Sequence, residues 1–322
     1  MLNIGPQTSH VNNYVTLLGM YNLPVGAPNY ISPDLFPAIG DEVVRQCDSV
    51  DGVKDGIVSS LDECQFDYSK IRCGNPGVNA SACLTDPQIQ TTKNIYSDYY
   101  STNGTFLASG YSLSSEDQWT VEIGGTEPSP FGVGYQRYFL LNDPNWDWHD
   151  YNDSLVTLAD RIDPGEATAA HYDIHPFKQR GGKVFMYHGI ADAVVPPRGS
   201  VEYYNRTVEA FGGVDETSDF FRLFLVPGMQ HCGYTVTDAP WAMGGASQAA
   251  ALGLNTWSVP GFANKDHDAL LALMDWVEKG DAVRRGLPAP FVAFIQRWLT
   301  VIRSNPSSLR PGRARRISAR AC

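Results

Sequence analysis

Asp192 and His231 are the side chains of this sequence best suited to proton-transfer chemistry. Asp192 stands in His188-Gly-Ile-Ala-Asp-Ala-Val-Val-Pro-Pro197, and His231 in Val226-Pro-Gly-Met-Gln-His-Cys-Gly233. A carboxylate bonded to one imidazole nitrogen fixes the tautomer, and the other nitrogen is then a general base. Such a pair serves a nucleophile, yet the sequence contains no Gly-x-Ser-x-Gly turn. Cys232 follows His231 directly, but neighbouring side chains point apart, so a thiol nucleophile is the weaker reading. A second chemistry-bearing stretch is Cys47-Asp-Ser-Val-Asp-Gly-Val-Lys-Asp-Gly-Ile-Val58. Calcium takes six to eight oxygens from carboxylates and carbonyls. Asp48, Asp51 and Asp55 can supply carboxylates, Val53 and Ile57 carbonyls, and the two Asp-Gly pairs the sharp turns. The stretch is not an EF-hand, since it lacks the twelve-residue loop that ends in a bidentate glutamate. Asp-Gly pairs alone also make ordinary turns. His171 and His175, four apart with Asp173 between them, read as structural hydrogen-bonding groups rather than metal ligands.

The elements that must carry Asp192 and His231 are visible in the pattern. Val184 to Tyr187 and Arg222 to Val226 are short apolar runs bounded by Gly or Pro, and read as buried parallel strands. Between them, Val201, Tyr204, Val208 and Phe211 recur at helical spacing over 199–211. The result is a βαβ unit with the acid and the histidine on loops past the two strands, where α/β sheets gather their ligands. Acid before histidine is the second half of the chain order Ser, Asp, His used by α/β-hydrolases.

Upstream, 32–46 reads as a helix with Ser32 as cap and Pro33 in its first turn, burying Leu35, Ile39, Val43 and Val44. Another helix opens at Thr85, with Ile95, Tyr96, Tyr99 and Tyr100 on its buried face. Residues 135–149 are rich in aromatics and read as buried core, or as a wall for an aromatic ligand. A last helix follows His267 and buries Leu270, Leu271, Met274 and Val277. Val11, Tyr14, Leu17, Leu18 and Tyr21 suggest a further helix near the start.

The net charge is −11, and all nine basic residues from Arg284 onward are arginines with no acid among them. The body before that tail is strongly acidic, which argues against nucleic-acid binding through phosphates. No apolar run approaches the ~20 residues needed to cross a bilayer. The first residues have neither the charge nor the apolar run of a signal peptide. Of six cysteines, Cys47, Cys64, Cys73 and Cys83 fall close together, which points to local disulfides and an oxidising compartment. Asn79, Asn103, Asn152 and Asn205 begin Asn-x-Ser/Thr sequons, which suits a secreted glycoprotein.

Three segments carry a resemblance: His188 to Pro197, Phe220 to Gly233, and Cys47 to Val58. In these the sequence resembles the tannase and feruloyl esterase family of secreted α/β-hydrolases with a large calcium-binding lid. The resemblance implies a partial α/β-hydrolase fold without its N-terminal strands. Residues 1–30 would lead from the hydrolase core into the lid, 31–176 form the lid with a structural calcium, and 177–283 form the rest of the core. From about Asp281 the resemblance ends, and 284–322 reads as a divergent basic tail, disordered past Ile302, rather than a membrane-touching helix. Asp192 and His231 would be the catalytic acid and base. The disulfides would be Cys47–Cys64 and Cys73–Cys83. In the family, the serine lies upstream in a Gly-Cys-Ser-x-Gly-Gly turn whose cysteine bonds the one beside the histidine. Here that turn is missing, so Cys232 is unpaired and the chain reads as a secreted protein's fragment, inactive alone. The expected substrates are small phenolic esters, feruloyl or galloyl, or ester-decorated plant cell-wall saccharides, with neither nucleic acid nor membrane as partner. The competing reading is a non-catalytic, calcium-binding secreted remnant.

Overall fold

The structure is a computed structural model that describes residues 8–59, 63–102, 104–231, 235, 264–265 and 268–282. Cys232, the sequon asparagine Asn103, His267 and the tail from 284 lie outside the described residues. The chain builds a helical body first and a βαβ unit after it.

Helix α1 (Thr8–Asn22) runs through the middle of the helical body, with Tyr14, Val15 and Leu18 buried. It packs against α3 (Asp86–Tyr96), α4 (Trp119–Ile123), α5 (Pro130–Gly134) and α6 (Ser154–Ile162). This stretch, expected as a link out of a sheet, is thus part of the helical core. Helix α2 (Phe36–Cys47) buries Phe36, Ile39, Val43 and Cys47, a single face at helical spacing. Leu35 and Val44 lie at the margin of that face. Ser32 stands at the N-cap of a separate 3₁₀ turn, Pro33–Leu35, that precedes the helix, and its side chain makes no capping hydrogen bond.

At the centre, the fully buried Trp119 ring meets Phe36 edge-on at 5.5 Å and Tyr96 at 5.4 Å. Such aromatic pairs are worth about 0.5–1.5 kcal/mol beyond their area. The disulfide Cys47–Cys64 ties the end of α2 to the following loop, and Cys73–Cys83 closes a second loop. Both pairings are the expected ones.

Helix α3 opens with Thr85 N–H donating to Gln88 Oε1 at 2.8 Å, half of a capping box. It stops at Tyr96. Tyr99 and Tyr100, expected on its buried face, form instead a two-residue strand, β1 (Tyr99–Tyr100), antiparallel to β2 (Phe106–Ala108). Aromatic residues fit either element, and the Gly104 turn at positive φ folds the chain back into a hairpin. The aromatic stretch after α5 takes the expected core role in part: Tyr135, Leu141 and Trp146 pack against the cluster of Leu140, Tyr151, Leu155 and Ala159. It forms a π-helical turn, Tyr135–Leu140, that buries Leu140 and leaves Tyr138 and Phe139 in solvent.

Past α7 (His175–Gln179) comes the βαβ unit. Strand β3 (Val184–Gly189) pairs in parallel with β4 (Phe221–Val226), in register from Val184 beside Phe221 to Gly189 beside Val226. Helix α8 (Pro197–Ala210) and the short α9 (Val214–Ser218) connect them. Tyr204, Phe211, Phe220 and Phe221 form the core between helix and sheet. His175 stacks on Phe211 and bonds Asp173, which is the structural role expected of it.

Helix α10 (Ala269–Lys279) packs against β3 with a different face from the expected one. Ala269, Ala272 and Trp276 are buried, whereas Leu270, Met274 and Val277 are exposed. Two cations decide the phase. Lys183 and Arg222 lie over the Trp276 ring at 5.4 Å and 5.1 Å, which turns the ring and its small neighbours toward the sheet.

Candidate active site

The parallel register sends both functional loops out of the same end of the sheet. Asp192 lies three residues past β3 and His231 five past β4. The loops are stitched together: Ile190 N–H donates to Val226 O at 2.9 Å and Ala191 N–H to Met229 O at 3.0 Å. This crossing requires a glycine at 189. A Cβ built there would sit 2.1 Å from Met229 O and 2.8 Å from Gln230 O, both backbone atoms. Gly189→Ala therefore pushes the His231 loop off the sheet. We expect a loss of about 2–3 kcal/mol in urea unfolding, and a shift of the His231 imidazole signals in NMR spectra.

Asp192 is fully buried. Its Oδ1 accepts from Val194 N–H at 2.9 Å and Val195 N–H at 2.8 Å. Its Oδ2 faces two imidazoles, His231 Nδ1 at 3.0 Å and His188 Nε2 at 3.3 Å. Burial opposes its charge, but the hydrogen bonds from His188 and His231 prevail and hold the carboxyl at about 2. An ionised acceptor opposite Nδ1 makes His231 the Nδ1–H tautomer, so its Nε2 is the basic nitrogen.

His188 is the functional neighbour that sequence reading passed over. It is completely buried at the end of β3. Its Nε2 lies 2.8 Å from Val195 O, an acceptor only, so Nε2 carries the proton and Nδ1 accepts from the Ser200 hydroxyl at 2.7 Å. A polar residue four before Asp192, in an otherwise apolar strand, was the available signal.

Gln118, just before α4, was also missed, and no local pattern marks it. Its Oε1 accepts from His231 N–H at 3.1 Å and from Ala193 N–H at 3.3 Å. One side chain from the helical body thereby holds the acid loop and the base loop together. Cys232 lies outside the described residues.

The acidic loop is built as a string of Asx turns. Asp51 Oδ1 accepts from Val53 N–H at 2.9 Å and Asp55 Oδ1 from Ile57 N–H at 3.1 Å. Asp48 Oδ1 accepts from Asp55 and Gly56 N–H. Gly52 and Gly56 supply the left-handed turns. Burial holds the Asp55 carboxyl above its ordinary range, with added repulsion from Asp48 and Asp51. Among the described residues, no three Asp, Glu, His or Cys side chains converge tightly enough to enclose a metal. The donor set nonetheless suits a hard cation, because these turns engage one carboxylate oxygen on amides and gather mutually repelling charges. The loop also reaches the segment that leads to His231: Ile57 packs against the Gly228 turn, where an added Cβ would lie 3.1 Å from its Cγ2, three residues before His231.

The family described as tannase and feruloyl esterase matches residues 2–287. A probable feruloyl esterase B-2 of Aspergillus fumigatus is 35% identical over 256 residues, 79% of this chain and 46% of the relative. A probable feruloyl esterase B-1 of Aspergillus flavus is 33% identical over 80% of this chain and 47% of its own length. The crystal structure of feruloyl esterase B from Aspergillus oryzae superposes with a TM-score of 0.76 at 29% identity, over 85% of this chain and 53% of that one. A tannin acyl hydrolase from Aspergillus niger shares the fold at 19% identity and a TM-score of 0.62. The chain spans about half the length of the curated relatives it matches. With a match that covers most of its residues, the chain belongs to the tannase and feruloyl esterase family.

Proposed function

We propose that this chain carries the acid–base half of a secreted carboxylic ester hydrolase that acts on phenolic esters, feruloyl or galloyl. The observation that carries the reading is the Asp192–His231 pair at the strand ends, with His231 held in the Nδ1–H tautomer. In this mechanism His231 Nε2 takes the proton of a serine hydroxyl as that oxygen attacks the ester carbonyl. The same nitrogen then returns the proton to the departing alcohol. Asp192 stays ionised throughout and stabilises the imidazolium. Among the described residues, no helix is long and apolar enough to cross a membrane.

The serine is in no Gly-x-Ser-x-Gly turn of these 322 residues. The reading therefore makes a sharp demand on experiment. The chain as given should not hydrolyse methyl ferulate or methyl gallate, and joining it to an upstream Gly-Cys-Ser-x-Gly-Gly segment should create that activity. Full-rate hydrolysis by the 322 residues alone would place the nucleophile elsewhere and overturn the assignment.

We also propose that the acidic loop binds calcium through Asp48, Asp51 and Asp55, with carbonyls of Val53 and Ile57. The ion would neutralise the carboxylates and brace Ile57 against the His231 loop. Calcium at a hundredfold over its Kd then stabilises the fold by about 2.7 kcal/mol. Thermal melts with and without chelator test this, and an unchanged melting temperature in both would remove the site.

A further inference from the structure

Tyr111 and Glu122 are both almost wholly buried, and Tyr111 Oη and Glu122 Oε2 have no hydrogen-bond partner among the described residues. Buried polar atoms in native proteins are nearly always paired, so orphans call for a reason. The Tyr111 ring lies 6.4 Å from that of Trp119, the neighbour of Gln118, and Glu122 sits on the same helix, α4. Glu122 feels the charges of both His231 and Asp192. Tyr111 feels those of Glu122 and Asp192. Glu122 lies four residues past Gln118, whose side chain grips both catalytic loops, so its helix is fixed relative to His231. Gln230, next to His231, adds a third buried orphan, the acceptor Oε1.

We infer that Tyr111 and Glu122 form a recognition subsite for a hydroxyl-bearing ring of the ester substrate, with Glu122 as the specificity-determining residue. A carboxyl oxygen accepts from a hydroxyl, and a phenol donates to a hydroxyl oxygen, so the two residues offer both senses of hydrogen bond. The Gln230 acceptor suits a second hydroxyl. An ester without hydroxyls leaves all three atoms unpaired, and unpaired buried groups are what gives such a site its selectivity. The hydroxyls can belong to the phenolic acyl group or to a sugar alcohol. This inference rests on the ester reading.

The test is calorimetric binding to the chain as given, with methyl gallate, methyl cinnamate and methyl xyloside as probes. Wild type should bind one hydroxylated probe at least about tenfold more tightly than methyl cinnamate. E122Q and Y111F, near-isosteric and checked for folding by thermal melts, should each erase most of that margin and leave cinnamate binding unchanged. Loss confined to gallate assigns the subsite to the acyl ring, and loss confined to xyloside assigns it to the alcohol. Equal binding of all three probes, an unaltered margin in both variants, or no binding at all overturns the subsite. The ester reading is judged separately, by hydrolysis in the serine-joined protein.

Discussion

Asp192→Asn should lower kcat for methyl ferulate about 10⁴-fold in the serine-joined protein. The reason lies in the donors around Oδ2. His231 Nδ1–H and His188 Nε2–H both point at it. The Val194 and Val195 amides hold the other oxygen, so an asparagine keeps its carbonyl there and turns its NH₂ toward the two imidazoles. Donor then faces donor. His231 escapes by moving its proton to Nε2, and the nitrogen that must accept the serine proton no longer can. Stability falls as well. The folded carboxyl sits at about 2, below its ordinary 3.8. That depression stabilises the fold by about 2.5 kcal/mol above pH 3.8, and the stabilisation is lost as pH falls toward 2. Nitrogen-15 NMR of the imidazole reports the tautomer directly. A kcat decrease of less than tenfold, with the tautomer unchanged, would show that Asp192 does not orient the base.

The pairing of Asp192 with His231 was legible in the sequence because both of its strands are short, apolar and closed by Gly or Pro. A loop just past such a strand is where α/β proteins place their chemistry. The residues that brace the pair were not legible in the same way. Gln118 lies 75 positions before Ala193 and 113 before His231, and only the folded helical body brings it there. His188 was within reach, but a histidine in a strand reads as an ordinary core residue until its two partners are known. Helix α10 shows the limit of periodicity. Its sequence offers two apolar faces, and the Lys183 and Arg222 cations over Trp276 choose between them. The hairpin at Tyr99 was lost for a related reason: helical spacing of aromatics persisted across a point where the backbone had already turned. The disulfide pairing followed from the family rather than from the four cysteines, whose spacing alone permits three pairings.

Glu116→Gln should remove a stability loss of about 3.5 kcal/mol that wild type suffers between pH 4.5 and pH 7. Glu116 is buried beneath Trp119 and α2, accepts a short hydrogen bond from the Tyr96 hydroxyl, and accepts from Ser114 N–H at 3.1 Å. Burial outweighs both hydrogen bonds and raises its carboxyl from 4.5 to about 7. The sign follows from proton counting. Between those values the folded chain keeps the proton and the unfolded chain releases it, so stability falls as pH rises through the window. Below pH 4.5 both states are neutral at this group and nothing is lost. Asp117 and Glu122 are raised by burial too and contribute slopes of the same sign, so the comparison must be between wild type and variant. Asp192 acts in the opposite sense, but below pH 3.8, outside the window. Urea unfolding at pH 5 and pH 8 separates the cases. Wild type should be markedly weaker at pH 8, and E116Q should lose most of that difference while Tyr96 still donates to the new amide oxygen. Identical pH slopes in the two proteins would mean that Glu116 is ionised in the folded state, with water or a neighbouring cation supplying what burial takes away.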